Sequence, residues 1–181
     1  MKTKRIAIIG GPGSGKTTII KQLEHQGFMC MHEISREVTK KAQEDGIDQL
    51  FLEDPVLFSK LLLEGRLKQF EEAKNTEAAI IFYDRGLPDV PIYMDFIKVD
   101  YPDYFIETCK NNRYDVVFML PPWEEIYVQD NERYESFEQA KTLYSFLKKG
   151  YTNYGYTITE VPIGTAEKRT NFILKQLKQP F

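Results

Sequence analysis

The stretch Gly10-Gly11-Pro12-Gly13-Ser14-Gly15-Lys16-Thr17 constrains the fold of this chain more than any other. It follows a short apolar run, Lys4 to Ile9, that reads as a buried strand. It precedes Thr17 to Gln26, where Ile19, Ile20 and Leu23 recur at helical spacing and Gly27 stands at the helix stop. The eight residues fit the pattern G-x-x-x-x-G-K-[ST] at every fixed position. Glycines let the backbone curl until successive N–H groups converge on one anion, and the following helix adds its own unpaired N–H groups. The pattern therefore predicts a phosphate cradle in which Lys16 reaches the β- and γ-phosphates of a nucleoside triphosphate. The Thr17 hydroxyl would ligate Mg²⁺. The expected nucleotide contacts are Gly11, Pro12, Gly13, Ser14, Gly15, Lys16, Thr17 and Thr18.

The rest of the chain repeats the strand-then-helix order. Phe28–Met31, Ala78–Tyr83, Tyr114–Leu120 and Tyr156–Val161 read as further strands. Helices are expected over Ser35–Glu44, from Asp54-Pro55 to about Lys74, over Pro88–Ile97, from Ser136 to about Lys149, and from Thr165 onward. Asp54, Ser136 with Gln139, and Thr165 supply start signals for three of them. The segment from Asp100 to Asn112 mixes polar and aromatic residues without a readable period. Unbroken apolar strands suit a sheet covered on both faces. The expected fold is thus an α/β three-layer sandwich with a mostly parallel five-stranded sheet, in a single domain spanning all 181 residues. Residues 121–135, bounded by Pro121-Pro122 and the Ser136 helix start, form the most polar long connection and the candidate lid. A net charge of −3 argues against a general nucleic-acid binder. No apolar run approaches a membrane span or a signal-peptide core, and two cysteines make no disulfide framework, so a cytoplasmic setting is expected.

A phosphate cradle leaves the fate of the γ-phosphate open, and other residues must decide it. The N-K-x-D guanine segment of GTPases and the L-S-G-G-Q signature of transport ATPases are absent. Water-activating ATPases usually end the acidic strand in Asp-Glu, whereas this strand ends Tyr83-Asp84-Arg85-Gly86. Asp84 can organise the Mg²⁺ shell, and Arg85 can bind an acceptor or developing charge through a bidentate contact. The second strand leads into Glu33, which can take a proton from an acceptor hydroxyl, with Arg36 one turn on. The bland alternative for Glu33 is a carboxylate complementing a helix start. Arg133, inside the candidate lid, can close over the transferred phosphoryl group; the alternative is a solvated loop charge. Thr165 caps the last helix and can pass beside the nucleotide base.

Taken in order, GGPGSGKT, HEISRE, YDRG, PPW with DNERY, and VPIGTAEKR resemble the AAA-like P-loop family. That family includes the nicotinamide-riboside kinase domain of NadR-type proteins and the eukaryotic TRPL-translocation-defect proteins. The pattern is more distantly similar to deoxynucleoside and thymidylate kinases. The resemblance implies the sheet order 2-3-1-4-5, an Arg-bearing lid, and ATP or GTP with Mg²⁺. It places Lys16 and Thr17 on phosphate and metal, Glu33 and Arg36 toward the acceptor, Asp84 and Arg85 on metal and acceptor, and Arg133 in the lid. The adenylyltransferase domain of NadR-type proteins is not expected in these 181 residues, and the resemblance does not establish a substrate. The expected activity is transfer of the γ-phosphoryl of ATP to a nucleoside-like acceptor. A nucleotide-dependent switch or a slow hydrolase without such an acceptor is the alternative.

Overall fold

The computed structural model of the chain describes residues 3–127 and 136–178. Strand β1 (Lys4–Ile9) leads through the glycine-rich loop into α1 (Lys16–His25), then β2 (Met29–Met31) and α2 (Ser35–Glu44). A short α3 (Leu50–Glu53) precedes the long α4 (Pro55–Glu72), β3 (Ile80–Asp84), α5 (Asp89–Ile97) and α6 (Tyr104–Asn111). The chain continues through β4 (Val116–Met119), α7 (Phe137–Asn153), β5 (Ile158–Glu160) and α8 (Ala166–Leu177). The five strands lie in the order β2-β3-β1-β4-β5, and every pairing is parallel.

The apolar runs behave as a doubly covered sheet requires. Side chains alternate along a strand, so an unbroken apolar run serves both faces at once. In β1, Ile6 and Ile8 pack with Ile19, Ile20 and Leu23 of α1 and with Ile173 of α8. Ala7 and Ile9 of the same strand pack on the opposite face with Leu62 and Leu63 of α4, Ile92 of α5 and Leu147 of α7. Strand β1 is therefore central and fully buried from Ile6 to Ile9. Its carboxyl end, where the loop begins, stands between the ends of β3 and β4.

Local signals set the helix starts. The Asp54 carboxylate accepts the Leu57 N–H at 2.8 Å, with Pro55 in the first turn. Ser136 and Gln139 form a reciprocal capping box, at 3.2 and 2.7 Å. The Thr165 hydroxyl accepts the Lys168 N–H at 3.3 Å. Gly65, inside α4, is explained by packing: a Cβ there overlaps Cδ1 of Ile34. This close approach places the next residue, Arg66, against the start of α2.

Several boundaries differ from the sequence expectation. The unreadable segment after Asp100 contains α6, which buries Phe105 and Cys109. The last strand spans Ile158–Glu160 rather than Tyr156–Val161 because Tyr156 is used sideways. Its hydroxyl accepts the Tyr114 N–H at 3.2 Å, and the Arg113 guanidinium stacks on its ring at 4.3 Å. Helix α7 runs on to Asn153, with Tyr151 buried in its last turn. Strand β3 extends through Asp84, in register with Ile8.

Candidate active site

The loop after β1 holds the strained backbone that the glycines permit. Gly13 and Gly15 adopt φ of 71° and 86°, left-handed values that cost a side-chain-bearing residue energy. A Cβ at Gly13 would sit 2.7 Å from the Tyr127 ring. Lys16 is buried and donates to the carbonyls of Gly10 and Gly11 at 2.9 and 2.8 Å, and to Ser14 Oγ at 3.4 Å. The ammonium group thus lies across the inside of the loop. Burial and the neighbouring Arg85 cation push its pKa down to about 7, against the pull of Asp84, Glu33 and Asp89.

A second group of charges stands beside the loop, assembled from β3, α4 and the link from β2 to α2. Arg85 follows β3 with φ of 77°, unusual for a residue carrying a side chain. Its N–H donates to the Ile8 carbonyl at 3.0 Å, tying the turn to β1. Its Nε donates to Glu33 Oε2 at 2.7 Å and its Nη1 to the Gly10 carbonyl at 3.4 Å. One guanidinium therefore links the phosphate loop to Glu33. From the other side Arg66 donates Nη2 to Glu33 Oε1 at 3.3 Å and Nη1 to the Gly86 carbonyl at 3.0 Å. Glu33 Oε1 also accepts the N–H groups of Ile34 and Ser35, both at 3.1 Å. Burial alone would raise this carboxyl's pKa, but Arg85 and Arg66 outweigh it and hold Glu33 far below the usual carboxylate range. One Glu33 oxygen takes the N–H groups of the helix start, and both oxygens meet arginines.

The turn beneath these arginines is fixed by Asp89. Its Oδ2 accepts the Gly86 N–H at 2.9 Å and the buried Tyr151 hydroxyl, and its Oδ1 lies 3.7 Å from Arg85 Nη1. The Tyr114 hydroxyl accepts the Leu87 N–H at 3.1 Å. Asp84, at the end of β3, is 5% exposed, and its Oδ1 is buried without a hydrogen-bond partner. Burial raises its pKa while Lys16 and Arg85 oppose the rise. A buried carboxylate oxygen left bare is costly, and a hydrated cation held against it would relieve the cost.

On the far side of the loop lies a cavity of about 350 Å³, lined by Gly13, Gly15, Thr18, Trp123, Thr165 and Arg169 among others. The described part of the predicted lid, residues 121–127, contributes Trp123 and Ile126 to this cavity. Glu124–Ile126 form a single 3₁₀ turn.

The structure brings Lys16, Glu33, Asp84 and Arg85 into one charge cluster and places Gly11 to Thr18 in and after the loop. Thr17 and Thr18 are exposed in the first turn of α1, and Thr165 lines the cavity. Arg36 is exposed on the first turn of α2, outside the Glu33 contacts described above. Arg133 and the lid from 128 to 135 lie outside the described residues. Sequence reasoning missed Arg66, Asp89 and Arg169. Arg66 shares α4 with Lys60 and Lys68, and nothing local sets it apart from those surface cations. Asp89, four residues after Arg85, could have been read as a turn-fixing carboxylate. Nothing local marks Arg169.

Comparison with known proteins agrees with this architecture. Deoxyadenosine kinase from M. mycoides, solved with dCMP and dCDP, superposes with a TM-score of 0.69 at 24% identity, covering 96% of this chain and 98% of that one. NadR protein, solved with NR, superposes with a TM-score of 0.74 at 18% identity over 96% of this chain. The match takes in only 51% of NadR, so this chain spans about half of that protein. Shikimate kinase from Acinetobacter baumannii gives a TM-score of 0.60 at 18% identity, covering 97% and 93% of the two chains. The fold is that of P-loop kinases. No curated protein matches the chain. The model of one family, described as an AAA domain, matches residues 5–169, and the chain belongs to that family.

Proposed function

We propose that the protein is a small-molecule kinase that moves the γ-phosphoryl group of ATP to a hydroxyl of a nucleoside-like acceptor. The observation that carries this reading is the Arg85 bridge. One guanidinium touches both the phosphate loop at Gly10 and the Glu33 carboxylate, at 3.4 and 2.7 Å. A carboxylate so close to a phosphate cradle can orient an acceptor hydroxyl against the γ-phosphorus. A hydrolase needs only to place a water. Two solved proteins of the same fold, NadR protein and shikimate kinase, are in complex with the small molecules NR and shikimate.

In the transfer, the acceptor oxygen forms a bond to the γ-phosphorus and the bond to the β,γ-bridging oxygen breaks. The hydroxyl proton passes to Glu33 or to the phosphoryl oxygens. Glu33, held ionised by two arginines, is a weak base in this state, so its main task is to accept the hydrogen bond that aligns the hydroxyl. A loose transition state places little demand on early proton removal and much on positioning and charge stabilisation. Lys16 turns from the loop carbonyls to the β- and γ-phosphates, and Arg85 stabilises charge on the group in transit. Thr17 and Asp84 are the residues that would hold Mg²⁺, with phosphate oxygens and water completing its shell. The bare Asp84 Oδ1 fits that role. Magnesium would neutralise charge on the β- and γ-phosphates.

Incubating the protein with γ-labelled ATP and a panel of nucleosides and hydroxylated vitamins tests the reading. Label on an organic acceptor supports the kinase. Label appearing only as inorganic phosphate, or tight nucleotide binding with no turnover, points instead to a hydrolase or a nucleotide-dependent switch.

A further inference from the structure

Arg169 is charged and sits in the first turns of α8, yet it is 2% exposed. Its Nη1 donates to the Ser14 carbonyl of the phosphate loop at 2.9 Å. The same nitrogen lies so near Gly15 that a Cβ there would come within 2.9 Å of it. The guanidinium is therefore seated on the backbone of the loop at Ser14 and Gly15. Its Nε and Nη2 are buried and have no hydrogen-bond partner. These two nitrogens form one edge of the planar group, the fork that takes two acceptor atoms in parallel. Arginine has donors only, so no rearrangement of its own protons can satisfy that edge. A buried, unpaired donor pair on a cation is costly unless something accepts from it. Arg169 also lines the cavity of about 350 Å³, together with Gly13, Gly15, Thr18, Gly164 and Thr165.

We propose that Arg169 is a nucleotide-positioning residue. Its Nη1 braces the phosphate loop through Ser14, and its Nε/Nη2 edge binds a pair of acceptor atoms of the nucleoside triphosphate lodged in the cavity. The inference rests on the nucleotide-binding reading above and adds a residue and a ligand chemistry to it. Two parts of the nucleotide offer such a pair. Phosphate oxygens accept from an arginine fork, and so does the O6/N7 edge of guanine, whereas adenine presents a donor beside N7. The brace and the fork share one rigid plane, so loop geometry and nucleotide contact are coupled.

The test is calorimetric titration of wild-type protein, R169K and R169M with ATP, GTP and inorganic tripolyphosphate, each with Mg²⁺, alongside a thermal melt. Lysine keeps the charge and a donor for Ser14 but lacks the fork. R169K should melt near the wild type yet lose roughly ten- to a hundredfold in nucleotide affinity, the cost of two charge-assisted hydrogen bonds. Loss toward all three ligands places the fork on phosphate oxygens. Loss toward GTP, with ATP and tripolyphosphate spared, places it on guanine. Both outcomes support the proposal. R169K and R169M binding all three ligands within about twofold of wild type would overturn it while leaving nucleotide binding intact. Wild-type protein that binds none of them would overturn the kinase reading itself. Should neither variant fold, the Arg169 Nε–H resonance of ¹⁵N-labelled wild-type protein decides. A shift on adding the nucleotide supports the contact, and an unmoved resonance contradicts it.

Discussion

The two sides of the site are built in opposite ways. The phosphate side is contiguous: Gly10 to Thr17 supply the curl, the cation and the hydroxyl from eight successive residues. Lys16 even finds its hydrogen-bond partners within the same loop, at Gly10, Gly11 and Ser14. The side proposed for the acceptor is composite. Glu33 and Arg66 come from separate segments, Arg85 and Asp89 from the turn after β3, and the Arg66–Glu33 contact exists only once α4 packs against the start of α2. A contiguous cradle needs the strand-loop-helix unit to form. A composite cluster needs the whole β2-β3-β1 half of the sheet and two helices in place. Lesions on the phosphate side should therefore cost chemistry with little cost in stability. Lesions on the acceptor side should cost both.

The largest effect is expected at Lys16. Lys16→Ala should lower turnover on the order of 10³-fold, the upper range for removing one preorganised charge-stabilising donor. It should fold normally, because it removes a desolvated cation that the fold does not require. Initial rates beside a thermal melt would check this; a variant that unfolds would erase the contrast between the two sides.

Arg66→Met attacks the composite side. Glu33 keeps Arg85, and its side chain is about a quarter exposed, so the loss of one partner should cost about 2 kcal/mol, below the range for a fully buried pair. Transfer should fall because Glu33 is no longer held from both sides. Urea denaturation with acceptor kinetics reads both quantities. Lost activity at unchanged stability would show that the clamp is not structural.

Gly65→Ala should destabilise by about 1–2 kcal/mol, since the clash with Ile34 outweighs the roughly 1 kcal/mol that alanine gains in a helix. It should also raise the acceptor KM, because Arg66 moves with the displaced helix. A stabilised Gly65→Ala would break the link between that close approach and the cluster. The smallest effect is expected for Tyr151→Phe, which removes one donor to buried Asp89 while the Gly86 N–H remains. A loss of about 1 kcal/mol in a chemical melt is expected.

The same contrast explains what could be read in advance. The phosphate loop was legible because its chemistry is local. The sheet was legible because each strand is an apolar run between breakers, and the resemblance implied its order. Glu33, Asp84 and Arg85 could be nominated because strand ends are where open α/β sheets gather ligands. Arg66 and Arg169 could not, because their meaning depends on which helix meets which loop. Helix α6 escaped because its buried face is only Phe105 and Cys109 amid aromatic and polar neighbours. The last strand was overextended because Tyr156 fits a strand pattern while its side chain is committed to Tyr114 and Arg113.

The central claim is that one cradle holds the nucleotide and a separate carboxylate, Glu33, aligns the acceptor. Glu33→Gln keeps the shape while removing the charge. The most direct measurement is ATP affinity and phosphoryl-transfer rate on the same Glu33→Gln preparation, with an acceptor found by the labelled-ATP panel. The account predicts an ATP Kd within about twofold of wild type and a transfer rate lower by roughly 10²-fold. An undiminished transfer rate, or a loss that appears only in ATP affinity, would contradict it.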